Sequence, residues 1–281
     1  MTTAIGVLHP GEMGAAVAAA ARLNGARVVW ASAGRGDATR ARAAAAGLED
    51  VGPLERLVAE SGLILSICPP AAAADVAREV AGLRSRGVYV DANAVAPDTT
   101  LLVGDIVSGG GAAFVDGGII GPPPHGPGTT RLYLSGLGAA DVAARFARGP
   151  LTAITLDQRI GAASALKMAY AGWNKGSQAL LLAIRALAAR EGVDEALVRE
   201  WALSMPDLAK RTEQAVAGNT KKAWRFIGEM EEIAATYSAA GLPDGFHQGA
   251  AEIYRRMEIY KDGPLPSLAE VLRALTPRRP A

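Results

Sequence analysis

The sequence predicts an α/β protein in which a doubly wound, parallel-sheet domain over residues 1–158 is followed by an all-helical domain over residues 159–281. Three observations carry this. Short apolar runs without polar alternation recur through the first half, as strands buried on both faces require. Helix-length stretches separate those runs, the pattern of a parallel sheet covered on both sides. After about residue 158 the strand signals nearly stop and a 3.6-residue periodicity takes over.

In chain order, AIGVLH (4–9) is the first strand, and the alanine-rich stretch 14–25 is a helix that Gly25 stops. RVVWAS (27–32) is the second strand. Residues 37–48 form a helix with Asp37 as its N-cap. LILSIC (63–68) is a strand closed by Pro69 and Pro70, and 73–83 is a helix. GVYVDAN (87–93) is a strand, and 97–110 is a helix that Pro97 opens. AFVDGGII (113–120), RLYLSG (131–136) and LTAITL (151–156) are further strands. Residues 160–192 then read as one helix of roughly 30 residues, some 45 Å long. Helices follow at 195–205, 206–216, 222–241 and 245–260.

Half of the 281 residues are apolar and a fifth are charged, as in an average globular protein. Basic residues number 29 and acidic residues 28, so no charge excess points to nucleic acid as a partner. The first residues lack the basic start and apolar run of a signal peptide, and no apolar stretch approaches the roughly 20 residues that cross a bilayer. A cytoplasmic location follows as an expectation. The single cysteine, Cys68, excludes an internal disulfide and sits in an apolar run, where a small core residue is the simplest reading. His9, His125 and His247 show no metal-ligand spacing, so no metal is expected.

The stretch GVLHPGEMG (6–14) joins the first strand to the first helix. It is a glycine fingerprint for a dinucleotide in which only the last two glycines, Gly11 and Gly14, remain. Gly11 lets the backbone approach a pyrophosphate, and Gly14 lets helix and strand pack closely. His9 stands in the first place and Pro10 stiffens the turn, while Glu12 and Met13 open a helix whose free N–H groups suit an anion. An ordinary strand–helix turn explains the motif by itself equally well. The second strand ends in WASAGRGD, with no acid where an NAD site places one for the ribose hydroxyls. Ser32 and Arg35 instead suit a 2′-phosphate, which predicts NADP(H), against the plainer reading of Arg35 as a surface arginine.

On the long helix, Lys167, Tyr170 and Asn174 follow one another at i, i+3 and i+7 and so share a face. A partly desolvated lysine there has a lowered pKa and can exchange a proton near neutrality. Tyr170 can polarise an oxygen, and Asn174 can orient the substrate or the lysine. On spacing alone, a lysine with its head in water explains Lys167 as well. Lys175 lies on another face, toward solvent or a substrate phosphate.

These segments together resemble the β-hydroxyacid dehydrogenase and phosphogluconate dehydrogenase superfamily, within it the branch of phosphogluconate-dehydrogenase-like proteins with a distinctive helical C-terminal domain. IGVLHPGEMG resembles the family's opening fingerprint, and SICPP its third-strand ending. DANAVAP resembles the segment after its fourth strand, and FVDGGIIG the strand before its substrate loop. GAASALKMAYAGWNKG resembles the helix carrying its catalytic lysine. Residues 222–260 resemble the branch's C-terminal domain. The resemblance implies a Rossmann-type fold with a substrate and dimerisation domain. It also implies a homodimer, a small-molecule substrate and hydride transfer assisted by Lys167, Tyr170 and Asn174. Cofactor contacts from Cys68, Pro69, Pro70 and Asn93 are implied too, with substrate contacts from Asn93, Ile120, Gly121, Pro122 and Lys175.

Three departures stand out. Ile120-Gly121-Pro122 replaces the family's S-G-G, Tyr170 and Ala171 replace the amide or histidine pair after the lysine, and Asn93 replaces a serine. They argue against 6-phosphogluconate or hydroxyisobutyrate as the substrate. An imine reductase on the same scaffold is an alternative that the retained Lys167 weighs against. A catalytically silent nucleotide-binding protein is another, favoured by the missing first glycine and opposed by the intact lysine helix.

In the C-terminal helices, Phe226, Ile227, Met230, Ile233, Ala234 and Tyr237 form an apolar packing stripe. Arg225 and Glu229 are spaced as an i,i+4 pair. Trp224, Glu232 and His247 receive no role from spacing.

Overall fold

A computed structural model describes residues 4–276. Residues 1–3, part of the stretch read for a leader, lie outside the described residues. The chain divides into two compact units, 1–168 and 169–281.

The first unit holds an eight-stranded sheet of order β3-β2-β1-β4-β5-β6-β7-β8. Its strands are β1 (Ala4–Val7), β2 (Val28–Trp30), β3 (Glu49–Asp50), β4 (Ser61–Ser66), β5 (Val88–Asp91), β6 (Ala113–Ile120), β7 (Thr130–Ser135) and β8 (Leu151–Thr155). The helices between them are α1 (Glu12–Arg22), α2 (Asp37–Ala45), α3 (Leu54–Glu60), α4 (Ala73–Gly82), α5 (Pro97–Gly109) and α6 (Ala139–Ala144). The sheet is parallel except that β6 and β7 pair antiparallel. Residues 121–129 alone connect those two strands, fewer than the dozen or so that a parallel crossover needs. Two apolar layers cover the sheet. One gathers Val17, Ala21, Trp30, Val90, Val115 and Leu134 beneath α1 and α6, and the other gathers Val29, Leu57, Ile64, Val80, Tyr89 and Val103 beneath α3, α4 and α5.

Helix α2 corrects one expectation. Its N-cap is Gly36, and Asp37 is the first helical residue, where its charge still complements the helix dipole. The alanine-rich α1 is held by small side chains, with Ala18, Ala20 and Ala21 almost fully buried.

Helix α7 (Ala162–Arg190) is the long helix, and the division between the units falls inside it. The second unit continues with α8 (Asp194–Ser204), α9 (Leu208–Asn219), α10 (Ala223–Ala239), α11 (Gly245–Arg256) and α12 (Leu268–Leu275). Met230, Ile233 and Ala234 of the expected α10 stripe are buried, and Tyr254 of α11 packs edge-on to Phe226 at 5.2 Å. The imidazole of His247 lies beside Gly172 and Gly176 of α7 and meets the Tyr237 ring at 4.3 Å. Burial pushes its pKa down, so it is a neutral packing group. Among the described residues, no helix is long and apolar enough to cross a membrane, and no three His, Cys, Asp or Glu side chains gather to hold a metal ion.

Candidate active site

The carboxyl ends of the parallel strands carry most of the residues singled out in the sequence. This is the edge where open α/β sheets bind ligands. At the end of β1 the chain turns through His9 and Pro10 into α1, whose N-cap is Gly11 in an extended conformation. Gly14 is required there, because a Cβ on it would lie 2.3 Å from the His9 carbonyl oxygen. A Cβ on Gly11 would meet nothing within 4 Å, so the turn is open above the first N–H groups of the helix. Glu12 is exposed in that first turn, whereas Met13 packs onto the core beneath it.

His9 and Arg35 line one cleft of about 130 Å³ at the ends of β1 and β2, walled by Leu8, Ala31, Leu54 and Val76, with Glu79 of α4 at its side. Nδ1 of His9 and Nε of Arg35 are both buried there without a hydrogen-bond partner. Burial first, and the Arg35 charge second, push the imidazole pKa down to about 4, so His9 is neutral. Ser32 is buried beside the Asp50 carboxylate, and its backbone carbonyl accepts from Arg40 at 2.9 Å. Burial alone raises the Asp50 pKa. Hydrogen bonds from Gly52 and Ser32 and the charge of Arg40 outweigh it, leaving the carboxyl below its ordinary value.

Between β4 and β5 the buried Asn93 acts as a clamp. Its Oδ1 accepts from the Cys68 backbone at 2.6 Å, its Nδ2 donates to Ser66 Oγ at 3.1 Å, and its own N–H donates to Asp91 at 3.0 Å. Asn93 therefore fixes the Cys68-Pro69-Pro70 turn through one hydrogen bond at each end of its amide. Burial, and then the charge of Asp91, push the Cys68 thiol up to about 12.

At the end of β6, four consecutive residues receive the start of α7. The buried Asp116 carboxylate accepts from the Ala163 N–H at 2.9 Å, the Ser164 N–H at 3.2 Å, Ser164 Oγ at 2.6 Å and Ser135 Oγ at 2.9 Å. Asp116 thus caps the helix across a separation of 47 residues in sequence, and Thr100 joins it through Ser164 Oγ at 2.7 Å. Gly118 leaves the room for this approach, since a Cβ on it would lie 2.6 Å from the Ala163 oxygen and 3.2 Å from Lys167 Cβ. Lys167 is half-buried, and its Nζ donates to the Ile119 carbonyl at 2.8 Å. Ile120 is buried, while Gly121 and Pro122 begin an exposed loop tied back by Thr130 Oγ1, which donates to the Pro122 carbonyl at 2.5 Å.

Tyr170 and Asn174, three and seven residues along α7 from Lys167, are exposed. Lys175 is engaged within the helical unit. It is ion-paired with Glu229, and its Nζ lies 4.1 Å from the centroid of the Phe226 ring. Trp224 carries Lys261 Nζ at 4.4 Å and the Arg225 guanidinium at 5.0 Å from its ring. Asp50 and Asp116 were not singled out from sequence, because each acts on groups distant in the chain.

A domain of unknown function, DUF1932, matches residues 188–257. No curated protein matches the sequence. The structure is similar to a conserved hypothetical protein from Sinorhizobium meliloti 1021, with 26% identity and a TM-score of 0.70 over 97% of this chain and 96% of that one. It is also similar to the 3-hydroxyisobutyrate dehydrogenase of Mycobacterium tuberculosis, with 18% identity and a TM-score of 0.69 over 97% and 98% of the two chains. A reductive aminase from Aspergillus terreus, solved with NADPH and ethyl levulinate, has 18% identity and a TM-score of 0.57 over 97% and 99%. With β1 to β8 and α7 arranged as described, the chain shares the fold of these proteins over nearly its whole length, and its helical part carries the DUF1932 match.

Proposed function

We propose that the chain is an NADP(H)-dependent oxidoreductase that moves hydride between nicotinamide and a small carbonyl or hydroxyl compound, with Lys167 as general acid and base. One observation carries the proposal: Lys167 Nζ is held 2.8 Å from the Ile119 carbonyl at the end of β6, on the same sheet edge as the glycine turn. A lysine that merely snorkelled would keep its head in water.

The residues fit the cofactor. The glycine turn leaves open space above the α1 N-terminus, a ready site for pyrophosphate. No acid ends β2, and Arg35 offers a buried nitrogen in need of a partner. NADP(H), when bound, supplies or accepts the hydride. The backbone of the turn from His9 to Gly14 holds the pyrophosphate, and Arg35 reads the 2′-phosphate. Asn93 sets the Cys68-Pro69-Pro70 turn that forms the floor. In reduction Lys167 gives a proton to the developing alkoxide, and in oxidation it takes the hydroxyl proton. Its hydrogen bond to Ile119 aims Nζ, and Tyr170 and Asn174 orient the substrate from the same helix face. Ile120, Gly121 and Pro122 border the substrate, and residues 159–281 serve substrate binding and dimerisation. Exposed Trp173, Leu180, Ile184 and Leu187 recur along α7 at helical spacing, an apolar stripe suited to a second copy of the chain.

The folds shared with a 3-hydroxyisobutyrate dehydrogenase and an NADPH-bound reductive aminase support this reading. Fluorescence titration with NADPH and NADH, followed by turnover on a panel of carbonyls, hydroxyacids and imines, tests it. NADPH is expected to bind more tightly, and Arg35→Ala to weaken it by about tenfold or more while sparing NADH. Equal weakening of both cofactors, or binding with no turnover on any substrate class, would overturn it.

A further inference from the structure

The 2′-phosphate reading paired Arg35 with Ser32, but Ser32 is buried beside the Asp50 carboxylate, with Arg40 on its backbone carbonyl. The group that shares the cleft with Arg35 is His9, in the place where the fingerprint has its first glycine. Two nitrogens of residues that line the cleft, His9 Nδ1 and Arg35 Nε, are buried without partners. Native proteins keep few such atoms, and two beside one cleft point to a shared ligand. A planar guanidinium and an imidazole together suit a phosphate, which offers several acceptor oxygens.

We propose that His9, rather than Ser32, is the second ligand of the 2′-phosphate beside Arg35, and that binding of this dianion draws a proton from solvent onto the His9 imidazole. The proposal rests on the NADP(H) reading above. In the free protein, burial and the Arg35 charge keep the imidazole neutral, with a pKa of about 4. A bound phosphate carries a charge of about −1.5 to −2, which favours the imidazolium and offsets the repulsion from Arg35. The other charged groups around His9 are Glu79 of α4 on the cleft wall, Glu12 in the first turn of α1, and Arg42 of α2, whose Nε donates to the Pro10 carbonyl. The end of β2 and α3 face it with Ala31, Ala33 and Leu54. Glu79 adds to the pull on the proton and opposes the phosphate, so protonation of His9 is what balances the site once the dianion enters.

Isothermal titration calorimetry of the full chain with NADP+ and with NAD+ at pH 7, in two buffers of different ionisation enthalpy, counts the protons exchanged. Net proton uptake is expected with NADP+ and almost none with NAD+. A phosphate that merely lost its residual proton to the field of Arg35 would give release, the opposite sign. His9→Asn is expected to abolish the uptake and weaken NADP+ by about 10- to 100-fold, leaving NAD+ within about twofold. Absence of uptake in the wild-type chain overturns the proposal without any variant having to fold. If NADP+ is preferred and Arg35→Gln removes that preference, while His9→Asn keeps both preference and uptake, this proposal fails and the cofactor reading stands. If NADP+ binds no better than NAD+, both fail.

Discussion

Replacing Gly118 with alanine perturbs the lysine site from the strand side. The new Cβ would lie 2.6 Å from the Ala163 carbonyl oxygen, against an ordinary contact of 3.4 Å or more, so α7 must retreat by about 0.8 Å. The obstacle is backbone, and no side-chain rotation relieves it. Overpacking of this kind costs about 1–3 kcal/mol. At about 2–4 °C per kcal/mol for a chain of this size class, the melting temperature should fall by roughly 2–12 °C. The same retreat strains the three hydrogen bonds that α7 donates to Asp116 and carries Lys167 away from Ile119. A displacement near 1 Å at a catalytic group costs about 100-fold in rate. Turnover should therefore drop far more than stability, while NADPH affinity, set at β1 and β2, stays as it was. Gly126→Ala is the control, since nothing lies within 4 Å of its Cβ and its φ is not positive. Thermal unfolding by circular dichroism and NADPH oxidation rates on both variants provide the comparison. If Gly118→Ala melts and turns over like Gly126→Ala, the strand does not set the position of the lysine.

Three further outcomes follow from the same geometry. His9 has a folded pKa of about 4 against 6.5 unfolded, so its contribution is full above pH 6.5 and is lost as pH falls toward 4. Urea midpoints should show wild type losing up to about 3 kcal/mol more than His9→Asn across that window, and parallel curves would contradict it. With the Cys68 thiol pushed up to about 12, the native chain should react with a disulfide reagent at pH 8 on the order of 10³-fold more slowly than the urea-unfolded chain; comparable rates would refute the burial argument. Lys175→Met leaves Glu229 without its ion-pair partner and should destabilise by about 3 kcal/mol with substrate KM unchanged. An unchanged denaturation midpoint with a raised KM would return Lys175 to the substrate.

Much of the fold was legible because its signals are local. Buried strands read as unbroken apolar runs, and the long helix has a period that nothing interrupts. Helix α12 also carries a local signal: Ser267 and Glu270 form a capping box just before Val271, Leu272 and Leu275. The antiparallel β7 could have been inferred from the short connection 121–129, because direction is written in loop length and not in the strand's own residues. Helices α3 and α6, of seven and six residues, are too short to establish a period. The site divides in the same way. Gly14 and Lys167 stand in motifs, whereas Ser32–Asp50, Asp116–Ser164 and Lys175–Glu229 join residues far apart in sequence, and only the folded chain brings them together.

The most direct measurement is the rate of NADPH oxidation by Lys167→Met, with NADPH affinity determined on the same sample. The proton-transfer role assigned to Lys167 predicts a loss of about 10²–10⁴-fold in kcat with the cofactor Kd unchanged. Wild-type turnover by the folded, NADPH-binding variant would contradict it.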